Sequence, residues 1–389
     1  MKWTSRILLV VMAACAGAWA AEAPTVSVNC NSGQSLNLTL SKMDKHTAAT
    51  VSVSGTCTET VQVIGFQGLT LKGTAGATLV QPSTVNSSIF NAVLYIEDSQ
   101  SVTVDGLNVQ AGTTVSGIGI GHGSSDVRLR NLNVLGGSES IAVFENSEAS
   151  IAYVTAQDPG YATLGIYDSS DVHLEHSTFT DTTGESWHVG VAMGASHITM
   201  YATSITNMQD GIYAYGGSIV DVLSYNTYFP TSGVTDVTID SPAATNFNGV
   251  EVITGGSLNV TGAKLVINHA GQTWGGTTGG VLISDGAAMN AANGLLVINR
   301  SYGQGLMMLN NSYATVSGAT ITTGGHGGVV LANSSRVDVS AGNVLTLVGG
   351  NAVDIFCDAG SNVTGSVNLS GVPTTQCSNI ASGETVALP

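Results

Sequence analysis

Positive charge is scarce in this sequence: ten lysines and arginines stand against 26 acids, and charged residues fill only 9% of 389 positions. A chain so poor in cations lacks the basic footprint of a nucleic-acid binder and is repelled by anionic membranes. No uninterrupted apolar run beyond residue 20 approaches the roughly 18 residues of a membrane helix, so no transmembrane segment is expected. Windows of helical periodicity are missing too, which removes βαβ units. Disorder would tolerate the 49 glycines but not 43% apolar residues, so a packed core must exist.

What is present begins with an export signal over residues 1–20. Lys2 and Arg6 supply its positive start, Ile7 to Ala14 an apolar stretch, and Ala18-Trp19-Ala20 a small-x-small cleavage site. A second route stays open, because Met12-Ala13-Ala14-Cys15 resembles a lipoprotein box with Cys15 as the lipidated residue. Either route places the chain outside the cytoplasm, as a secreted, periplasmic or cell-surface protein. Cleavage leaves eight cations against the 26 acids, a formal charge of −18. It also leaves Cys30, Cys57, Cys357 and Cys377, an even number in an exported chain. Two local disulfides are expected, Cys30 with Cys57 and Cys357 with Cys377. No histidine lies at ligand spacing beside these cysteines, so no metal site is assigned.

A short apolar signature recurs along the chain, usually just after glycine or another small residue. Its anchors are Val93, Ile118, Ile141, Leu164, Val189, Ile212, Val250, Val281, Leu306, Val329 and Val353. Most spacings fall between 23 and 25 residues; the two after Ile212 and Val250 are 38 and 31. Eight to ten residues after most anchors a second alternation begins, as in Val102 and Val104 or Val172 and Leu174. Alternation with period two means strands buried on one face. A coil of about 23 residues carrying two or three short strands is one turn of a parallel β-helix, stable only when stacked on its neighbours. A propeller blade needs about 40 residues, and the leucine-rich consensus is absent. The expectation is an all-β, single-stranded right-handed parallel β-helix, a solenoid with disulfide-tied end caps. Residues 21–90 form the N-terminal cap and first coil, 91–356 the coils, and 357–389 the C-terminal cap.

Stacking turns equal registers into columns. Four residues after the anchors the column reads Glu97, His122, Glu145, Asp168, Met193, Gly216, Thr254, Asp285, Asn310, Asn333. The next is rich in Gly, Asn and Ser, a turn position calling for left-handed backbone. Asn310 over Asn333 predicts an amide ladder. The acids of the first column are read as exposed turn residues that splay apart.

Phrases such as Asp210-Gly211-Ile212-Tyr213-Ala214 and Ser125-Asp126-Val127-Arg128-Leu129-Arg130-Asn131 resemble the coils of right-handed parallel β-helix proteins in the pectin-lyase-like superfamily. The resemblance covers roughly residues 50–370 and matches no specific enzyme family. It implies the fold but not one activity, since that superfamily holds lyases, hydrolases, epimerases, esterases and non-catalytic surface proteins. Asp210-Gly211-Ile212 resembles the place where polygalacturonase-type hydrolases carry catalytic aspartates. Their Asn-Thr-Asp, Asp-Asp and Arg-x-Lys motifs are missing here.

A second pointer falls in the same zone, because the two long spacings put extra loops over 226–247 and 268–279. Long loops on a rigid scaffold are where binding concentrates. Asp210, Glu251, Glu185 and His188 are therefore the candidate catalytic groups, with Asp210 as acid and Glu251 or Glu185 as its partner. Trp187, Tyr213, Tyr215 and Trp274 are candidate sugar-stacking residues. The blander alternative makes Tyr213 and Tyr215 ordinary outward strand residues, Trp187 a loop cap and His188 a hydrogen-bonder. Three functions follow. The first is a protein that binds, and as an enzyme would hydrolyse, a polysaccharide or cell-surface glycan. The second is a non-catalytic adhesive scaffold. The third is a Ca²⁺-dependent lyase, which leaves Ca²⁺ as the only cofactor in question. A monomer is expected.

Overall fold

The computed structural model describes residues 23–84, 92–184, 187–224, 236–240, 248–270, 278–301, 303–316, 320–323, 327–339, 344–348, 355–358 and 360–370. The chain is a right-handed parallel β-helix. Among the described residues the strands form two sheets whose pairings are all parallel, one of 12 strands (the front sheet) and one of 25 (the back sheet). Most coils contribute one front strand, then turn a corner into two short back strands joined by a bend; in Ser257–Asn268 and Ala288–Ser301 the two back strands run on as one. Pairing begins at the strand Thr25–Asn29 and continues to Ser366–Ser370, past residue 356. No helix among the described residues is long and apolar enough to cross a membrane.

The repeat makes this fold because each coil sends its alternate aliphatic residues into one continuous interior. Val61, Leu94, Ile118, Ile141, Leu164, Val191, Ile212, Val250, Val281, Leu306, Val329 and Ile355 stack in one buried column. Three of the sequence anchors need correction. Leu94 replaces Val93 and Val191 replaces Val189, because runs such as Ala92-Val93-Leu94 and Val189-Gly190-Val191 offer two apolar choices. Val353 lies outside the described residues, and Ile355 holds its place.

The residue just before the column explains the preference for small side chains. A Cβ on Gly211 would lie 2.5 Å from both the Gly249 carbonyl oxygen and Ile239 Cγ2. Gly190, Gly249 and Gly280 are crowded in the same way. Two successive residues, Gly211 and Ile212, are buried, so the alternation slips by one at this point. That slip, like a bulge, re-aims the preceding side chain.

At the corner leaving the front sheet, both turn columns adopt left-handed backbone. His122, Glu145, Asp168, Ala195, Thr254, Asp285, Asn310 and Asn333 all have φ between 50° and 58°. Asn333 Nδ2 donates to Asn310 Oδ1 at 2.7 Å, and Asn310 Nδ2 to Asp285 Oδ1 at 2.7 Å, which is the predicted amide ladder. The acids next to it do not simply splay. Glu97 and Glu145 converge on His122, at 3.5 and 2.6 Å. One residue further on runs a buried column of serines that the sequence reading did not single out. Ser147 N donates to Ser170 Oγ, and Ser170 N donates to Ser196 Oγ, both at 3.2 Å.

The ends are tied as expected where they can be seen. Cys30 and Cys57 are disulfide-bonded. Glu59 closes the N-terminal cap by accepting hydrogen bonds from the Leu36 and Asn37 amides, at 2.7 and 3.2 Å, at the start of the short helix Leu36–Leu40. Cys357 is also disulfide-bonded. Its expected partner, Cys377, lies outside the described residues.

Candidate functional site

The outward face of the front sheet carries the candidate chemistry. The strand Asp210–Tyr215 pairs with Asn248–Val252, placing Asp210 beside Asn248 and Tyr213 beside Glu251. Asn248 ties the two acids together. Its backbone N–H donates to Asp210 Oδ1 at 3.0 Å, and its side-chain Nδ2 donates to Glu251 Oε2 at 2.8 Å. Asn248 is itself fixed, because its Oδ1 accepts the Gly279 N–H at 3.0 Å.

Among the described acids these two are held above the ordinary carboxylate range, whereas Asp44 and Asp338 are held below it. Burial, then the charge of Glu251, pushes the Asp210 carboxyl up to about 7, against the opposing pull of the Asn248 amide. Burial also raises Glu251, again opposed by its hydrogen bond from Asn248. A pair of neighbouring part-buried carboxyl groups, one titrating near pH 7, is the arrangement that general acid–base chemistry needs.

Tyrosines surround the pair. The Tyr213 and Tyr215 rings lie 5.5 Å apart, tilted by 37°. Tyr161 and Tyr167 come from the preceding coils, and burial raises both hydroxyls. Further contributions to Tyr161 come from Tyr215, Tyr213, Glu139 and Asp210, so one electrostatic neighbourhood spans these coils. Small residues let the rings lie flat against the sheet. A Cβ on Gly194 would meet the Tyr215 ring at 2.7 Å, and one on Gly165 would meet Tyr167 at 2.7 Å. Glu139, held by Ser116 and Ser138 at 3.0 and 2.8 Å, stands three strands from Asp210 in the same column. At the inter-strand spacing that is about 14 Å. The outward face thus forms an acidic, tyrosine-floored strip from Glu139 to Glu251.

The structure gathers Asp210, Glu251, Tyr213 and Tyr215, and separates others. His188 is buried, and its Nδ1 lies 3.0 Å from the fully buried Asp181. Trp187 is 72% exposed, two residues ahead of Val189, the neighbour of Asp210 in the column. Glu185 and Trp274 lie outside the described residues. The first long loop is not one loop, because residues Val237–Asp240 within it form a back-sheet strand. Asn248, Tyr161, Tyr167 and Glu139 were missed as site residues. Their signal was register: Glu139 and Asn248 share Asp210's column, and the tyrosines flank it.

None of the front-sheet strands contains a lysine or arginine. Among the described residues the cations sit elsewhere, and four have recorded partners: Arg128 on Asp126, Arg336 on Asp338, Lys264 on Asp236 and Lys45 over Phe66. Among the described residues, the one group of ligand-type side chains close enough to hold a metal is Cys30, Cys57 and Glu59. Two of those are consumed by the disulfide.

The stacked coils define a right-handed parallel β-helix protein. A family model described as "Right handed beta helix region" matches residues 67–229. No curated protein matches the sequence. Among solved structures, the catalytic domain of GH87 alpha-1,3-glucanase in complex with nigerose is similar at 16% identity and a TM-score of 0.43, covering 94% of this chain and 68% of that one. A variant of that domain in complex with tetrasaccharides gives 14% identity and a TM-score of 0.38, over 94% and 69%. Likenesses at this level concern the fold and say nothing about the site.

Proposed function

We propose that this protein is an exported glycoside hydrolase that lays a neutral polysaccharide along the tyrosine strip of the front sheet. Asp210 donates the proton to the leaving glycosidic oxygen, and Glu251 acts as its carboxylate partner. The observation that carries this reading is the Asn248-bridged pair of half-buried acids beneath Tyr213 and Tyr215. Tyrosine rings offer flat apolar faces for sugar stacking and hydroxyls for sugar oxygens. Hydrolysis asks only for two carboxyl groups flanking the bond, and their separation sets the stereochemical outcome.

The missing cations support a neutral substrate. Eliminative cleavage of a uronate must offset a substrate carboxylate, and no front-sheet strand supplies a lysine or arginine to do so. A strongly negative surface would also repel a polyuronate unless Ca²⁺ bridged them.

The test is a glycan-binding panel run with and without Ca²⁺, followed by a reducing-end assay and an unsaturated-product assay on each ligand bound. Expected are Ca²⁺-independent binding of a neutral glycan, new reducing ends without unsaturated product, and a loss of about 10²–10⁴-fold in turnover for Asp210→Asn. Binding with no turnover at all would move the protein to the scaffold reading. Ca²⁺-dependent unsaturated product would move it to the lyase.

A further inference from the structure

We propose a second, non-catalytic saccharide site on the back sheet, at the corner of the coil opposite the catalytic strip. The bend between the two back strands holds a cavity of about 410 Å³ lined by Tyr153, His176, Thr178, Ser204, Asp236 and Thr238, among others. That volume suits a ligand of one to a few sugar rings, since pockets for small molecules start near 300 Å³.

The wall of this cavity is a built platform. Tyr153 and His176 occupy the same bend position on adjacent coils, both in left-handed backbone, and their rings stack at 5.0 Å and 3°. Tyr201 supports them from behind, with its ring edge-on to His176 at 6.2 Å. Tyr201 is in turn locked by hydrogen bonds to His173 and Glu175. Tyr153 nonetheless remains 57% exposed, a large flat ring held rigid in water. A pre-ordered aromatic surface costs little entropy when a ligand stacks on it.

The floor is hydroxylic. Thr178, Ser204 and Thr238 form one column on three successive coils, so their side chains recur about every 4.8 Å. The charge of the site is balanced: Asp236 is the acid of the lining, and Lys264 Nζ lies 3.6 Å from it. A cation gains little from a carboxylate already paired, and the lining offers no cation to an anion. A flat apolar wall, a row of hydroxyls and no net charge together describe the complement of a neutral pyranose.

This site does not rest on the catalytic reading, and the experiment keeps the two apart. Calorimetric titration of the full-length Tyr215→Ala variant with short neutral gluco-, galacto- and manno-oligosaccharides isolates the back site, because the front platform is then disabled. The expected result is one remaining saturable site. Adding Tyr153→Ala should weaken it at least about tenfold. Adding Thr178→Arg, which fills the cavity, should abolish it. Thermal melts matching the parent confirm that each variant folds, and in the otherwise native chain neither Tyr153→Ala nor Thr178→Arg should change glycan turnover. The proposal fails if Tyr215→Ala binds no oligosaccharide, or if its binding is indifferent to both changes. Failure of the catalytic reading shows separately, as absent turnover in the unmodified protein.

Discussion

Asp210 spends folding energy to stay protonated, and that cost can be measured apart from any substrate. Its folded pKa, raised to about 7, lies well above the carboxylate's ordinary value of 3.8. The fold therefore favours the neutral acid. Its contribution is fully present below the ordinary range, and it is lost as pH rises from there toward 7. Glu251 is shifted in the same direction, also chiefly by burial, so both acids oppose folding in mild alkali. Asp210→Asn keeps the shape and removes the ionisation. It should raise the melting temperature at about pH 8 and leave it nearly unchanged at about pH 4, followed by calorimetry. An equal gain at both pH values would mean that packing, not charge, dominates the position. If the unmodified protein hydrolyses glycan as proposed, kcat/KM should fall as pH rises through about 7, when Asp210 loses the proton that the proposal has it donate.

At the scale of one coil, what recurs is a corner with three jobs in succession: left-handed backbone, an amide or acid ladder, and a buried serine. The serine column is the least visible part. Serine is common in this chain, and nothing in the residue itself tells a buried rung from a solvated turn. Ser170 shows why the rung matters, since its Oγ accepts the amide of Ser147 one coil below. Ser170→Ala leaves that buried N–H without its acceptor, a loss of about 1–3 kcal/mol that should appear as a melting point lowered by several degrees. Ser150→Ala, at an outward, half-buried position on the coil of Ser147, serves as the control, with an expected change within about 0.5 kcal/mol. Equal effects from the two would deny the ladder its role.

Over the whole molecule, legibility followed the strength of the repeat. The aliphatic column was readable because a period near 23 residues survives noise, and its errors fell where Val93-Leu94 and Val189-Gly190-Val191 offer two apolar candidates. Asp210, Glu251 and the two tyrosines, which the Asp-Gly-Ile phrase and the neighbouring long spacings single out, lie together on adjacent front strands. His188 was not legible in this way, since nothing local tells a histidine buried on Asp181 from one facing a ligand. The Tyr153 platform escaped as well, because it is assembled by a bend whose position only stacked strands define. The same one-dimensional order dictates how the molecule should come apart. Coils touch chiefly their nearest neighbours, so stability is close to a sum of local interfaces and the ends open before the middle. The Cys30–Cys57 link closes 27 residues of chain at one such end, and loop closure of that length is worth about 3.5 kcal/mol. Reduction should therefore not melt the protein as a unit. In hydrogen exchange, amides of the strands Ala49–Ser54 to Thr78–Val80 should exchange faster after reduction, while those of Val189–Gly194 and Asp210–Tyr215 keep their protection. Uniform acceleration along the whole chain would show instead that the solenoid folds as one cooperative block, and the additive picture of stacked coils would have to be abandoned.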